Sequence, residues 1–240
     1  MSAYYTLFKH VLIGPPLKGY YRPWAEGVEH IPESGGVILA SNHLAVSDSF
    51  FLPLVMTRKV VFLGKSEYFT GRGFKGYATR AFMEGVGTIP VHRGGGRASE
   101  AALRTGLQVL QSGQMLGIYP EGTRSPDGRL YRGKTGVARM AIEAGVPIIP
   151  VAMIGTDVAQ PLGQKVPSRT DIGVRFGAPL RLDAYAGRQE DREALREVTD
   201  GVMRAIQQLS GQEYVDRDAA QYKAELDRGQ TPPPEPDSSP

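Results

Sequence analysis

Six short apolar runs recur along the chain: "VILA" (37–40), "VVFLG" (60–64), "GTIPV" (87–91), "MLGIY" (115–119), "PIIPVAMIG" (147–155) and "IGVRFG" (172–177). Their length suits strands, and glycine, proline or polar residues bound them. Between them lie helix-like segments at 50–56, 98–112 and 134–144; in the second, Leu103, Leu107 and Leu110 share one apolar face. Alternation of this kind predicts a single α/β domain with a mostly central β-sheet flanked by helices. A further amphipathic helix is expected over 191–209, with Leu195, Val198, Val202, Ile206 and Leu209 on one side, and a more polar one over 213–228. The domain is expected to run from 26 to 228. The closing "RGQTPPPEPDSSP" has no apolar side chain to bury, so residues 229–240 are expected to be disordered.

Composition narrows the chemistry. The chain has no cysteine, which excludes disulfides, thiolate metal sites and a cysteine nucleophile. Its four histidines, at 10, 30, 43 and 92, show no ligand-like spacing, so no metal is expected. A formal charge of +3 is a mild basic bias, compatible with an anionic surface or substrate. No run reaches the ~18 apolar residues of a membrane span, and the first residues lack a signal-peptide pattern, so export is not expected. Residues 1–25 instead collect Tyr4, Tyr5, Phe8, Tyr20, Tyr21 and Trp24 beside Lys9, Lys18 and Arg22. That segment suits either an interfacial helix or a terminal helix packed on the domain, with Gly14-Pro15-Pro16 as its expected stop.

"SNHLAVSDSF" (41–50) places His43 and Asp48 five positions apart, just after the first strand. On a continuous helix such residues diverge by roughly 140°, so the two can meet only if the chain turns between them. Ser47 or Asp48 is a good N-cap for the following helix, which makes a strand–turn–helix junction the expected setting. In "YPEGTRSPDGRLYRGKTG" (119–136), glycines surround Arg124, Arg129, Arg132 and Lys134, a pattern suited to holding an anion. It lacks the Gly-Lys-Ser/Thr ending of a nucleotide loop, so ATP is not indicated. Lys65, Arg93 and Arg124 each follow a candidate strand, as His43 does. If those strands are parallel neighbours, a base and several cations converge at one sheet edge, as chemistry on the hydroxyl of a phosphorylated acceptor would need. His92 reads as a surface loop residue.

"NHLAVSD" (42–48), "GTIPVHR" (87–93), "YPEGTRS" (119–125) and "VPIIPVA" (146–152) resemble, in order, the four sequence blocks of the glycerolipid acyltransferases. More closely they resemble the bacterial 1-acyl-glycerol-3-phosphate acyltransferases, over about residues 25–185. Tyr119 stands where that family more often has Phe, and the first residues lack the transmembrane helix that many members carry. The resemblance implies His43 as general base on the acceptor hydroxyl and Asp48 as the carboxylate that orients it. It implies Lys65, Arg93 and Arg124 on the acceptor phosphate, with Glu121, Gly122 and Thr123 shaping that pocket. The "VPIIP" block reads as sheet core or as part of the acyl-donor side. An acyl thioester, acyl-CoA or acyl carrier protein, is then a co-substrate and no cofactor is expected. The lipid partner implies a peripheral protein on the inner face of the cell membrane.

The region 65–82 interleaves Lys65, Arg72, Lys75 and Arg80 with Tyr68, Phe69, Phe74, Tyr77 and Phe82. Cations among aromatics suit a single-stranded nucleic acid or an anionic membrane surface; the flanking acyltransferase blocks favour the membrane. Two alternatives stay open on the residues alone. The same chemistry could act on glycerol 3-phosphate or another lysolipid or glycolipid, or the chain could be a non-catalytic peripheral lipid-binding protein.

Overall fold

A computed structural model describes residues 7–12, 14–91 and 95–229. Seven strands form one sheet: β1 (Trp24–Glu26), β2 (Val37–Ser41), β3 (Val60–Lys65), β4 (Thr88–Val91), β5 (Met115–Ile118), β7 (Ile148–Ile154) and β8 (Gly173–Phe176), in the order β1-β8-β7-β2-β5-β3-β4. The β2–β5, β2–β7, β3–β5 and β3–β4 pairs are all parallel. Strand β8 runs antiparallel to β7, and β1 lies parallel to β8. The sheet is therefore mixed. The C-terminal ends of β2, β3, β4, β5 and β7 share one edge.

Strand β2 lies at the centre, with Leu39 facing Gly117 on β5 and Ile149 on β7. Side chains alternate across a strand, and both faces of β2 are covered. Ile38, Ala40, Val61 and Leu116 pack under helices α4 (Gly95–Gln111), α5 (Gly136–Ala144) and α7 (Arg192–Ser210). Val37, Leu39, Val60, Met115 and Ile149 pack under α2 (Asp48–Val55), through Phe51, Leu52 and Leu54. Two buried faces explain why the central runs carry no polar alternation. Helix α7 begins where the Asp191 side chain accepts from the Glu193 and Ala194 amides, and it ends at Gly211, whose φ of 70° continues the chain left-handed.

Several expectations are corrected. A helical turn over Phe8–Leu12 ends ahead of Gly14-Pro15-Pro16, as expected, but the same residues also start a second helix: α1 spans Gly14–Tyr21. Proline is tolerated in a first turn because amides there have no helical partner. Tyr21 of α1 is buried edge-on against Phe51, at 5.1 Å. Within 65–82 a helix, α3 (Gly73–Gly85), forms that the strand-and-helix pattern does not announce. The stretch 213–228 is not continuous helix. Tyr214–Val215 is a strand, β9, parallel to β6 (Leu130–Tyr131), and helix α8 (Ala219–Asp227) starts only after Asp218 caps the Ala220 and Gln221 amides. A short α6 (Thr156–Ala159) follows β7. Among the described residues no helix is long and apolar enough to cross a membrane. Tyr4 and Tyr5 lie outside the described residues, as do residues 230–240 of the expected disordered tail.

Leu39 is fully buried in the central strand, so Leu39→Ala is expected to lower the unfolding free energy by roughly 2–5 kcal/mol. Urea titration measures this.

Candidate active site

Strand β2 ends at Ser41, and the next residues turn sharply before α2. One oxygen organises that turn. Asp48 Oδ2 accepts the Leu44 amide at 2.7 Å, the Ala45 amide at 2.9 Å and the His43 ring at Nδ1, 2.9 Å away. The expected meeting of His43 and Asp48 is thus achieved by a turn, as the five-residue spacing requires. Ser47 stands at the N-cap position without a side-chain cap bond; the Asp48 carboxylate serves the preceding amides instead. Asp48 is fully buried, whereas the His43 side chain keeps 17% of its surface exposed. A carboxylate that already takes two N–H groups is an acceptor, so His43 carries its proton on Nδ1 and leaves Nε2 unprotonated.

The 119–125 loop, after β5, grips the His43 peptide from both sides. The His43 amide donates to Glu121 Oε1 at 3.1 Å, and the Ser125 amide donates to the His43 carbonyl at 2.7 Å. Glu121 Oε2 accepts the Tyr131 amide at 3.0 Å. Glu121 is fully buried and joins the two loops through their backbones. Burial pushes it up to about 8, while its two amide donors pull the other way.

Tyr119 supplies the wall behind the base. Its ring stacks on the His43 imidazole, with centroids 3.8 Å apart and planes 11° from parallel, and its hydroxyl meets Ser49 Oγ at 2.9 Å. Phe62 stacks on its other flank at 5.8 Å. This column needs Gly117, because a Cβ there would lie 2.4 Å from the Phe62 ring. Burial and the nearby Asp48 charge raise the Tyr119 phenol well above its usual value, so it stays neutral.

The cations named from the sequence separate into two groups. Arg129 pairs with Asp127 and Glu213, Arg132 with Asp216 and Lys134 with Asp218. These three fasten the loop to the segment around β9. Arg124 is half-buried and has no ion pair among the described residues, which leaves its guanidinium for an anion. Gly122 turns the loop at φ 75°, with Thr123 half-buried beside it. Lys65 closes β3 at the same edge as His43. Its side chain lies outside the described residues, as do His92 and Arg93. The "VPIIP" block forms the start of β7, with Ile148, Ile149 and Val151 buried in the core. Among the described residues no cluster of His, Asp or Glu could hold a metal ion.

Some supports were not legible as site residues. Asn42 Oδ1 accepts the Met153 amide at 2.7 Å, and its Nδ2 donates to Gln212 Oε1 at 2.7 Å. Gln160 Oε1 accepts the Ser47 amide at 2.9 Å. Gln160 and Gln212 lie more than 100 residues from the turn they brace, and a lone glutamine carries no local signal. The Tyr119 stack has a weak signal, an aromatic directly before "PEGTRS".

Comparison with known proteins follows this geometry. Residues 23–154 match the family model described as Acyltransferase. The chloroplastic 1-acyl-sn-glycerol-3-phosphate acyltransferase LPAT1 of Arabidopsis thaliana is 31% identical over 147 residues, covering 61% of this chain and 40% of that protein. Its Brassica napus counterpart BAT2 is 29% identical, with 67% and 46% covered. The chain thus spans less than half the length of these two plant relatives. The 1-acyl-sn-glycerol-3-phosphate acyltransferase of Bacillus subtilis is 25% identical over 183 residues, 75% of this chain and 84% of that protein. In fold, the chain is similar to the crystal structure of the 1-acyl-sn-glycerophosphate acyltransferase PlsC from Thermotoga maritima. The TM-score is 0.61 and the identity 23%, with 82% of this chain and 80% of that one covered.

The raised value of Glu121 predicts a pH dependence. Between its ordinary 4.5 and about 8, the unfolded chain releases a proton that the folded protein keeps. Stability from this group is therefore complete below 4.5 and falls as pH rises through that window, by at most ~1.4 kcal/mol per pH unit. Glu121→Gln should remove this slope in urea unfolding series, and an unchanged slope would show that the proton is held elsewhere.

Proposed function

This chain belongs to the acyltransferase family, and from that premise we propose that it moves a fatty acyl group from an acyl thioester to the free hydroxyl of 1-acyl-sn-glycerol 3-phosphate, giving phosphatidic acid for phospholipid synthesis. The donor is acyl-CoA or acyl carrier protein. His43 Nε2 takes the proton of the acceptor hydroxyl as its oxygen attacks the thioester carbonyl. The tetrahedral intermediate then collapses, the C–S bond breaks, and the departing sulfur takes the proton back from Nε2. The products are an ester and a free thiol, and the enzyme is unchanged. Asp48 holds the imidazole in the tautomer this needs and balances the imidazolium that forms, as the carboxylate does in a hydrolase triad. The substrate's own hydroxyl replaces a serine nucleophile, which suits a chain without cysteine or a Gly-x-Ser-x-Gly elbow.

The single observation that carries this reading is the 2.9 Å contact from His43 Nδ1 to a buried Asp48, with the imidazole still partly exposed. Arg124 supports the choice of a phosphorylated acceptor, since a half-buried guanidinium without an ion pair among the described residues suits a phosphate. In this proposal Lys65 and Arg93 join it from neighbouring strand ends, and Gly122 and Thr123 shape the loop. No cofactor takes part. An acceptor with an acyl tail places the enzyme at a membrane, as a peripheral protein on the inner face of the cell membrane.

Labelled acyl-CoA and acyl carrier protein, each offered with 1-acyl-glycerol 3-phosphate, glycerol 3-phosphate and other lysolipids, should give labelled phosphatidic acid as the main product. His43→Ala is expected to lower that rate by roughly 10²–10⁴ while leaving the urea midpoint near that of the parent. An unchanged rate in the folded variant would end the general-base reading.

A further inference from the structure

Helix α3 is apolar on two sides but covered on one. Phe82 turns inward, edge-on to Phe50 of α2 at 5.2 Å. Phe74, Tyr77, Ala78 and Ala81 follow the i, i+3, i+4, i+7 pattern of a buried stripe. Yet Phe74 is 88% exposed and Tyr77 65%, with Tyr68 just before the helix at 44%. Phe74 is the most exposed large apolar side chain among the described residues. Single exposed apolar residues need no explanation, but three clustered aromatics do.

The surface is built rather than loose. The turn before α3 folds back so closely that a Cβ on Gly76 would lie 2.2 Å from the Gly71 carbonyl. Only glycine at both positions permits this approach, and it fixes the turn from which Arg72, the extended N-cap residue, leads into the helix. Segment 65–85 carries Lys65, Arg72, Lys75 and Arg80 against Glu67 and Glu84, so the segment that bears the apolar stripe has a net positive charge. Arg80 forms an exposed pair with Glu84 at 2.8 Å, leaving Arg72 as an exposed cation at the head of the stripe.

Position completes the case. Strand β3 ends at the sheet edge that holds His43, and α3 begins there, eight residues on. Only β5 separates β3 from β2, a distance of about 10 Å at the usual strand spacing. Phe82 on Phe50 joins α3 to the helix that starts at Asp48.

We propose that the outward face of α3, with Tyr68, Phe74 and Tyr77 at its centre and Arg72 at its head, docks on an anionic lipid bilayer. The aromatic rings enter the headgroup region, the tyrosine hydroxyls stay in its polar layer, and the cations meet lipid phosphates. Docked in this way, the protein presents the His43 edge beside the bilayer. The proposal goes beyond acyl transfer and does not need it, because vesicle binding is read without any reaction.

The test uses the full chain and co-sedimentation with phosphatidylcholine vesicles, with and without phosphatidylglycerol. Phe74→Ser/Tyr77→Ser is expected to bind phosphatidylglycerol vesicles roughly tenfold or more weakly than the parent. Its urea midpoint should be unchanged, because both side chains are exposed. Arg72→Glu should weaken binding to these vesicles and narrow the difference between the two lipid compositions. Val158→Ser/Val166→Ser, at two exposed apolar positions outside α3, should bind like the parent. The proposal fails if the α3 double variant binds as the parent does, or if only the Val158/Val166 variant loses binding. It also fails if the parent is a dimer that Phe74→Ser/Tyr77→Ser converts to monomer with vesicle binding intact, since the face would then belong to a second copy.

Discussion

The site depends on one buried carboxylate oxygen. Asp48 Oδ2 gathers two backbone amides and the His43 ring within 2.9 Å, and each of these bonds constrains something different. The amides of Leu44 and Ala45 force the chain to reverse between strand and helix. The ring contact selects the tautomer and leaves Nε2 without the proton. A buried charge is costly unless it is hydrogen-bonded, and hydrogen bonds to an ionised carboxylate are the strong kind. The same compensation that lets Asp48 be buried is therefore what positions the base. Its place in the first turn of α2 adds the favourable end of the helix dipole.

The parallel sheet explains how distant residues reach that base. Strands β2 and β5 are neighbours in register, so the loops that leave them emerge side by side. Glu121 then links the His43 and Tyr131 amides, and the Ser125 amide takes the His43 carbonyl. The histidine is held at its ring by Asp48, at its peptide by the β5 loop and on its face by Tyr119. A base fixed from three directions loses little freedom when substrate arrives, which is the condition for efficient proton transfer.

Much of this was legible in the sequence, for physical reasons that differ by element. The central strands are buried on both faces and therefore read as unbroken apolar runs, and the long helix α7 shows its period because one face alone is covered. The His43–Asp48 pair could be inferred from a turn between strand and helix. What failed depended on contacts far along the chain. Tyr214–Val215 is a strand only because Leu130–Tyr131 lies beside it, and two residues show no periodicity of their own. Helix α3 escaped because its aromatics lie on both sides and blur the helical period. The two backbone amides that Glu121 joins, those of His43 and Tyr131, are revealed by no local pattern. Arg129, Arg132 and Lys134 looked equivalent to Arg124 until their carboxylate partners, up to 84 residues away, were in place.

The tautomer of His43 tests the account most directly. Nitrogen-15 NMR on histidine-labelled protein, with the His43 signals assigned from a His43→Gln variant, reads which ring nitrogen carries the proton in the neutral form. The geometry predicts the Nδ1–H form, with that proton strongly deshielded by Asp48 and shifted in Asp48→Asn. A neutral His43 protonated on Nε2 would contradict it, because the nitrogen meant to accept the substrate proton would already be occupied.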